Sequence, residues 1–149
     1  MSDQFVHLHL HSQYSLLDGA IKFDELFDEV EKQGMSSVAL TDHGNLFGAY
    51  DFYKKAKDKG IKPIVGCELY IAKDHLNKSS ENNKTHHLTV LAKNLQGYEN
   101  LCSLVSIGHL KGFYRKPRID RKLLFEYSDG LIVLSGCLNG EVCHNILKG

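Results

Sequence analysis

The chain has 149 residues, 42% of them hydrophobic, enough for one domain with its own core and too apolar for a disordered segment. Lysine plus arginine equals aspartate plus glutamate at 18 each, which excludes a global field for nucleic acid or an anionic membrane; any such binding must be local. No apolar run approaches the roughly 20 residues of a membrane helix, so no membrane partner is expected.

Strand-like and helix-like segments alternate. Phe5 to His11 has period two, with Val6, Leu8 and Leu10 on one side and His7, His9 and His11 on the other. A helix follows, with Asp24 as its N-cap, an apolar stripe of Leu26, Phe27 and Val30, and Gly34 past its end. Ser36 to Leu40 reads as a second strand ending at "TDHGN". Asn45 opens a helix through Tyr50, Tyr53 and Lys54 that Gly60 stops. "KPIVGCELYIA" is a third strand, and Pro63 suits its start. Lys73 to Thr85 is a polar loop. "HHLTVLA" is a fourth strand. A helix from about Gly97 to His109 carries Tyr98, Leu101, Cys102 and Val105 on one face. Lys111 to Lys122 is basic and irregular. Asp120 caps a short helix through Tyr127, "GLIVLSG" is a fifth strand, and a last helix begins near Asn139. Repeated β-α units imply mostly parallel strands covered by helices, in a barrel or an open sheet, with chemistry at the strands' carboxyl ends.

Metal-capable side chains recur at those ends. His11 ends the first strand, Asp42 and His43 follow the second, Glu68 lies in the third, and Cys137 follows the fifth. His87 is the exception, because it begins its strand. Nine histidines is a high number for this length. Imidazole, carboxylate and thiolate are zinc-type ligands, and imidazole with carboxylate also suits manganese or iron. Histidines at i and i+2 on a strand reach one ion, and Glu68 can bridge two. Paired metals suit hydrolysis of phosphate esters. The sequence holds no Walker-type loop and no dinucleotide fingerprint.

Each candidate has a plainer reading beside it. Alternating histidines also occur on the wet face of an edge strand, and "LDG" with Asp18 is also a turn. Asp42 reads as a cap for the loop "DHGN". Glu68 beside Cys67 in an apolar strand is hard to explain as core, since buried carboxylates need partners. Cys67, Cys102 and Cys143 read as buried residues and His75, His109 and His144 as surface or helix-face residues, while His86 and His87 compete for one role. The basic segment reads as a solvated face, with a phosphate or DNA contact the lesser reading. The cysteines form no Cys-x-x-Cys and no signal peptide precedes them, so a reduced, cytoplasmic protein is expected.

The blocks "FVHLHLHSQYSLLDGA", "LTDHGNLFGAYDFY", "GIKPIVGCELYIA", "HHLTVLAKNLQGYENL" and "GLIVLSGCLNGEV" resemble the PHP (polymerase and histidinol phosphatase) domain that begins the bacterial DNA polymerase III alpha subunit. The resemblance implies an α/β fold, a distorted (β/α)7 barrel with two to three Zn2+ or Mn2+ ions at one mouth. It places metal ligands at His9, His11, Asp18, His43, Glu68, His87 and Cys137, leaves His7 unassigned, and implies no catalytic group beyond the ligands. The family's downstream Asp-x-His pair is not found, so residues 1–149 are expected to be an N-terminal portion lacking the last strands. No polymerase palm, fingers or thumb is expected in so short a chain. The implied activity is metal-dependent phosphodiester hydrolysis, as a 3′→5′ exonuclease in DNA replication. The implied partners are DNA through the parent polymerase and other replicase subunits, the proofreading exonuclease subunit among them. Two rivals stand beside this: an inactive, metal-stabilised structural module, and a small-molecule phosphatase.

Overall fold

A computed structural model describes residues 5–137 and 140–148. Its helices are α1 (Phe23–Lys32), α2 (Ala49–Asp58), α3 (Leu95–Leu110), α4 (Arg121–Glu126) and α5 (Glu141–Lys148), with a short 3-10 turn at Ser80–Asn82. Its strands are β1 (Ser37–Leu40), β2 (Lys62–Ala72), β3 (His86–Ala92), β4 (Arg118–Asp120) and β5 (Leu131–Val133). They make one open sheet in the order β1-β2-β3-β5, with β4 also paired to β2.

The expected parallel arrangement holds only in part. β2 pairs parallel with β1 and β4, but β3 runs antiparallel to β2 and β5 antiparallel to β3. This places His87. Its strand starts where β2 ends, so His87 lies opposite Tyr70, two residues from Glu68. An antiparallel strand brings its beginning, not its end, to the carboxyl end of its neighbour.

The first expected strand is not a regular one. Ala39 N–H donates to the His7 carbonyl and Thr41 N–H to that of Leu10. Segment 5–11 thus runs beside β1, but it spends three residues where β1 spends two. The extra residue breaks the ladder in the manner of a bulge, and bulges re-aim side chains. Leu8 is consequently exposed rather than turned to the core.

Other boundaries shift for local reasons. Lys22, not Asp24, precedes α1, and Asp24 sits in its first turn, where a carboxylate favours the helix N-terminus. Asn45 makes a turn, its Oδ1 accepting from Phe47 N–H, and α2 starts later, after Gly48. Asn94 caps α3 by accepting from Gly97 N–H, and Asp120 caps α4 by accepting from Leu123 N–H. The expected start of the last helix at Asn139 lies outside the described residues.

Two apolar clusters hold the layers. Phe23, Phe27 and Val30 of α1 meet Phe52 and Ala56 of α2 beneath Val38 and Leu40. Leu101 and Leu104 of α3 pack on Cys67, Leu69, Ile71, Val90 and Ile119. Burying Phe27 and Phe52 completely contributes about 2–3 kcal/mol each. Cys67 is core, as expected, while Cys102 and Cys143 are only half-buried. The polar loop 73–85 gains order from Arg118, which is fully buried and donates to the carbonyls of His75, Asn77, Asn82 and Gly112.

Candidate metal centre

Glu68 is the hub. Its parallel bridge to His43 continues the β1–β2 register, and its strand position turns the carboxylate toward segment 5–11 and β3. Glu68 is 2% exposed, a depth at which a lone carboxylate is costly. Four imidazoles meet it. His9 Nε2 lies 2.7 Å and His11 Nε2 3.5 Å from Oε2; His43 Nδ1 lies 2.9 Å and His87 Nδ1 2.7 Å from Oε1. Burial pushes the Glu68 carboxyl up, but His11, His87 and His9 outweigh it and hold the group ionised far below the usual carboxylate range. Reciprocally, the hydrogen bond to Glu68 raises His11, against a smaller opposing effect of burial.

Asp18 joins from the first loop. Its Oδ2 is 3.0 Å from His43 Nε2, and this contact lowers its pKa. Both ring nitrogens of His43 therefore face carboxylates. Carboxylates only accept, so the arrangement needs two ring protons or a cation in place of one.

Asp42 positions the loop that carries Asp18. It does not cap its own turn as expected. Its Oδ1 accepts from Ser12 N–H at 2.6 Å and Ser15 Oγ at 2.7 Å, and its Oδ2 accepts from Ser12 Oγ at 2.7 Å. Ser15 Oγ in turn accepts from His43 N–H. These partners are about 30 residues away in sequence, so no local pattern foretold them. "HSQYS" offered only its serines as a signal.

Tyr70 walls the cluster. Its ring lies 5.0 Å from that of His87 and 6.4 Å from that of His43. Burial, with the Glu68 charge next, pushes its phenol up to about 12, so it stays neutral.

The donor set fits a divalent metal. Donor atoms of His9, His11 and Glu68 lie within 4.8 Å of one another. His11 Nδ1 is buried with no hydrogen-bond partner, although buried polar atoms are normally satisfied. Of the seven residues expected from sequence, six are thus brought together: His9, His11, Asp18, His43, Glu68 and His87. Cys137 is exposed and follows Gly136, where an added methyl group would stand 3.0 Å from the His87 carbonyl oxygen; no hydrogen bond or ion pair joins its thiol to the cluster among the described residues. His7 instead stacks edge-on with Phe5. His86 lies against the His144 ring, which leaves Glu68 to His87.

His75 corrects its expectation as a surface residue. It is buried, and its Nδ1 lies 2.5 Å from Asp120 Oδ2. With Asp74 it forms a second group of metal-capable atoms. Here, however, the carboxylate is occupied, accepting from the His75 backbone and capping α4.

Alternating histidines beside a β strand, a buried acid and a histidine from an antiparallel strand make a candidate metal-binding cluster on an open α/β sheet. Residues 7–149 match the PHP domain model, and the chain belongs to the PHP domain family. Within it, the chain is 54% identical over 142 residues to a DNA polymerase III subunit alpha of Helicobacter pylori, matching 95% of this chain and 12% of the relative. It is 51% identical over 148 residues to the subunit alpha of Aquifex aeolicus, with 94% and 13% covered. The chain thus spans about an eighth of these relatives' length. A crystal structure from Bifidobacterium adolescentis, assigned as a metal-dependent phosphoesterase, shares the fold with a TM-score of 0.50 at 19% identity, over 70% of this chain and 32% of that one. Among the described residues, no helix is long and apolar enough to cross a membrane.

Proposed function

We propose that the chain is a divalent-metal phosphoesterase module that hydrolyses phosphodiesters at DNA 3′ ends. The observation that carries this reading is the convergence of four imidazoles on one buried carboxylate, that of Glu68. His9, His11, Asp18, His43, Glu68 and His87 would hold zinc or manganese ions, two to three in a complete site. Bound ions would supply an activated water and neutralise charge on a phosphoryl oxygen. Glu68, kept ionised, is suited to bridge. His9, its side chain 46% exposed, opens the cluster to substrate. Tyr70 remains a neutral wall, and Asp42 fixes the loop that delivers Asp18. Cys137 enters the set on family resemblance alone.

In this reading the chain serves within a longer replicative polymerase in the cytoplasm. DNA and other replicase subunits, including a proofreading exonuclease subunit, are its partners. The polymerase relatives, of which it spans 12–13%, support this. The test is release of mononucleotides from single-stranded DNA by the purified protein with zinc or manganese. Wild type releases them and Glu68→Ala does not; no release by wild type with either metal contradicts the reading. The second reading is a metal-stapled structural module. Chelation would then lower the melting temperature with no rate to lose.

A further inference from the structure

The basic segment 111–122 reaches the rim of the metal centre. The parallel register of β4 sets Arg118 opposite Tyr70, so the residues just before it arrive at the level of His43 and Gly44. Contact confirms the approach. A methyl group added at Gly44 would stand 2.7 Å from Pro117 and 3.1 Å from the Tyr70 ring. His109 Nε2 is 2.9 Å from the Gly44 carbonyl, tying α3 to the same turn.

On this approach Lys116 Nζ lies 4.5 Å from the Tyr70 ring centroid, and that ring lies 5.0 Å from His87. The ammonium is therefore within about 10 Å of a Glu68-bound imidazole, one Debye length at moderate salt. Tyr114 N–H donates to the Lys116 carbonyl, closing a tight turn with Arg115 at its tip. Arg115 has φ +63°, a backbone conformation that non-glycine residues adopt at a cost and that clusters at functional sites. Both side chains are exposed, and among the described residues neither is paired with a carboxylate. A fixed turn that offers two unpaired cations beside a cluster of phosphoesterase type has the chemistry of a phosphate grip.

We propose that Lys116, held over Tyr70 and assisted by Arg115, binds a phosphate flanking the scissile one, which selects an oligonucleotide over an isolated phosphomonoester. This rests on the phosphoesterase reading, but its test does not need a loaded site. Binding of a fluorescent single-stranded DNA oligonucleotide to the protein is followed by anisotropy in EDTA across a salt series. Lys116→Ala weakens binding roughly three- to tenfold and lowers the log–log salt slope by about 0.7, the value for one single-strand phosphate contact. Lys116→Arg restores the slope, and Lys57→Ala, an exposed change on α2, alters neither quantity. Unchanged binding in Lys116→Ala, or none in wild type, overturns the proposal. Metal content, measured on the same proteins, separates that failure from failure of the metal reading: Lys116→Ala retains the wild-type content.

Discussion

Asp42→Ala probes the device that assembles the site without touching the ligands. Three donors converge on this fully buried carboxylate: Ser12 N–H, Ser12 Oγ and Ser15 Oγ. Hydrogen bonds to a charged acceptor contribute about 1.5–3 kcal/mol each. Removal of the carboxylate leaves all three donors unsatisfied, while it also removes the cost of burying a charge. The net loss is about 3–5 kcal/mol, or roughly 10–15 °C in melting temperature for a chain of this size. Asp42→Asn keeps the shape and one accepting oxygen, and costs about 1–3 kcal/mol. Asp58→Ala, an exposed change, stays within about 0.5 kcal/mol. Urea denaturation followed by circular dichroism reads all three. A loss below about 1 kcal/mol for Asp42→Ala would refute the assignment of Asp42 as the anchor of the loop 12–18.

Arg118→Ala withdraws the donors of four carbonyls from a fully buried position. It lowers stability by about 3–5 kcal/mol and speeds hydrogen exchange in loop 73–85, as read by mass spectrometry. Asp120 makes stability fall in acid. Burial pushes its carboxyl up, but His75 and the backbone N–H groups of Leu123 and His75 outweigh it and leave it below the ordinary value. In the window between the folded and unfolded values the unfolded chain binds more protons, so stability rises with pH there. Wild type therefore loses stability faster than Asp120→Asn as pH drops from about 5, which melts across a pH series detect.

Much of the site was legible because its residues sit at strand ends, where a βα fold collects chemistry. His11 and His43 follow from that rule, His9 from its i, i+2 spacing to His11, and Glu68 from the need of a buried carboxylate for partners. His87 defied the rule until the antiparallel direction of β3 was known, and direction is set by long-range pairing rather than by the composition of "HHLTVLA". Asp42 and Arg118 were misread for a shared reason. Each looks like a loop residue locally, and each is buried by partners up to 43 residues away. β4, with three residues, is too short for periodicity to separate it from the basic segment around it. Segment 5–11 kept His9 and His11 aimed at Glu68 although it lost its regular ladder. One extra residue against β1 makes that difference, and the pattern of alternation does not record it.

We propose that Glu68 and its imidazoles form one shared metal cluster. This is tested most directly by the metal content of the protein after equilibration with zinc or manganese and removal of free ion, read by inductively coupled plasma mass spectrometry. Wild type retains at least about one ion per chain, His9→Ala loses about one, and Glu68→Ala retains almost none. Equal metal content in all three proteins would contradict the account.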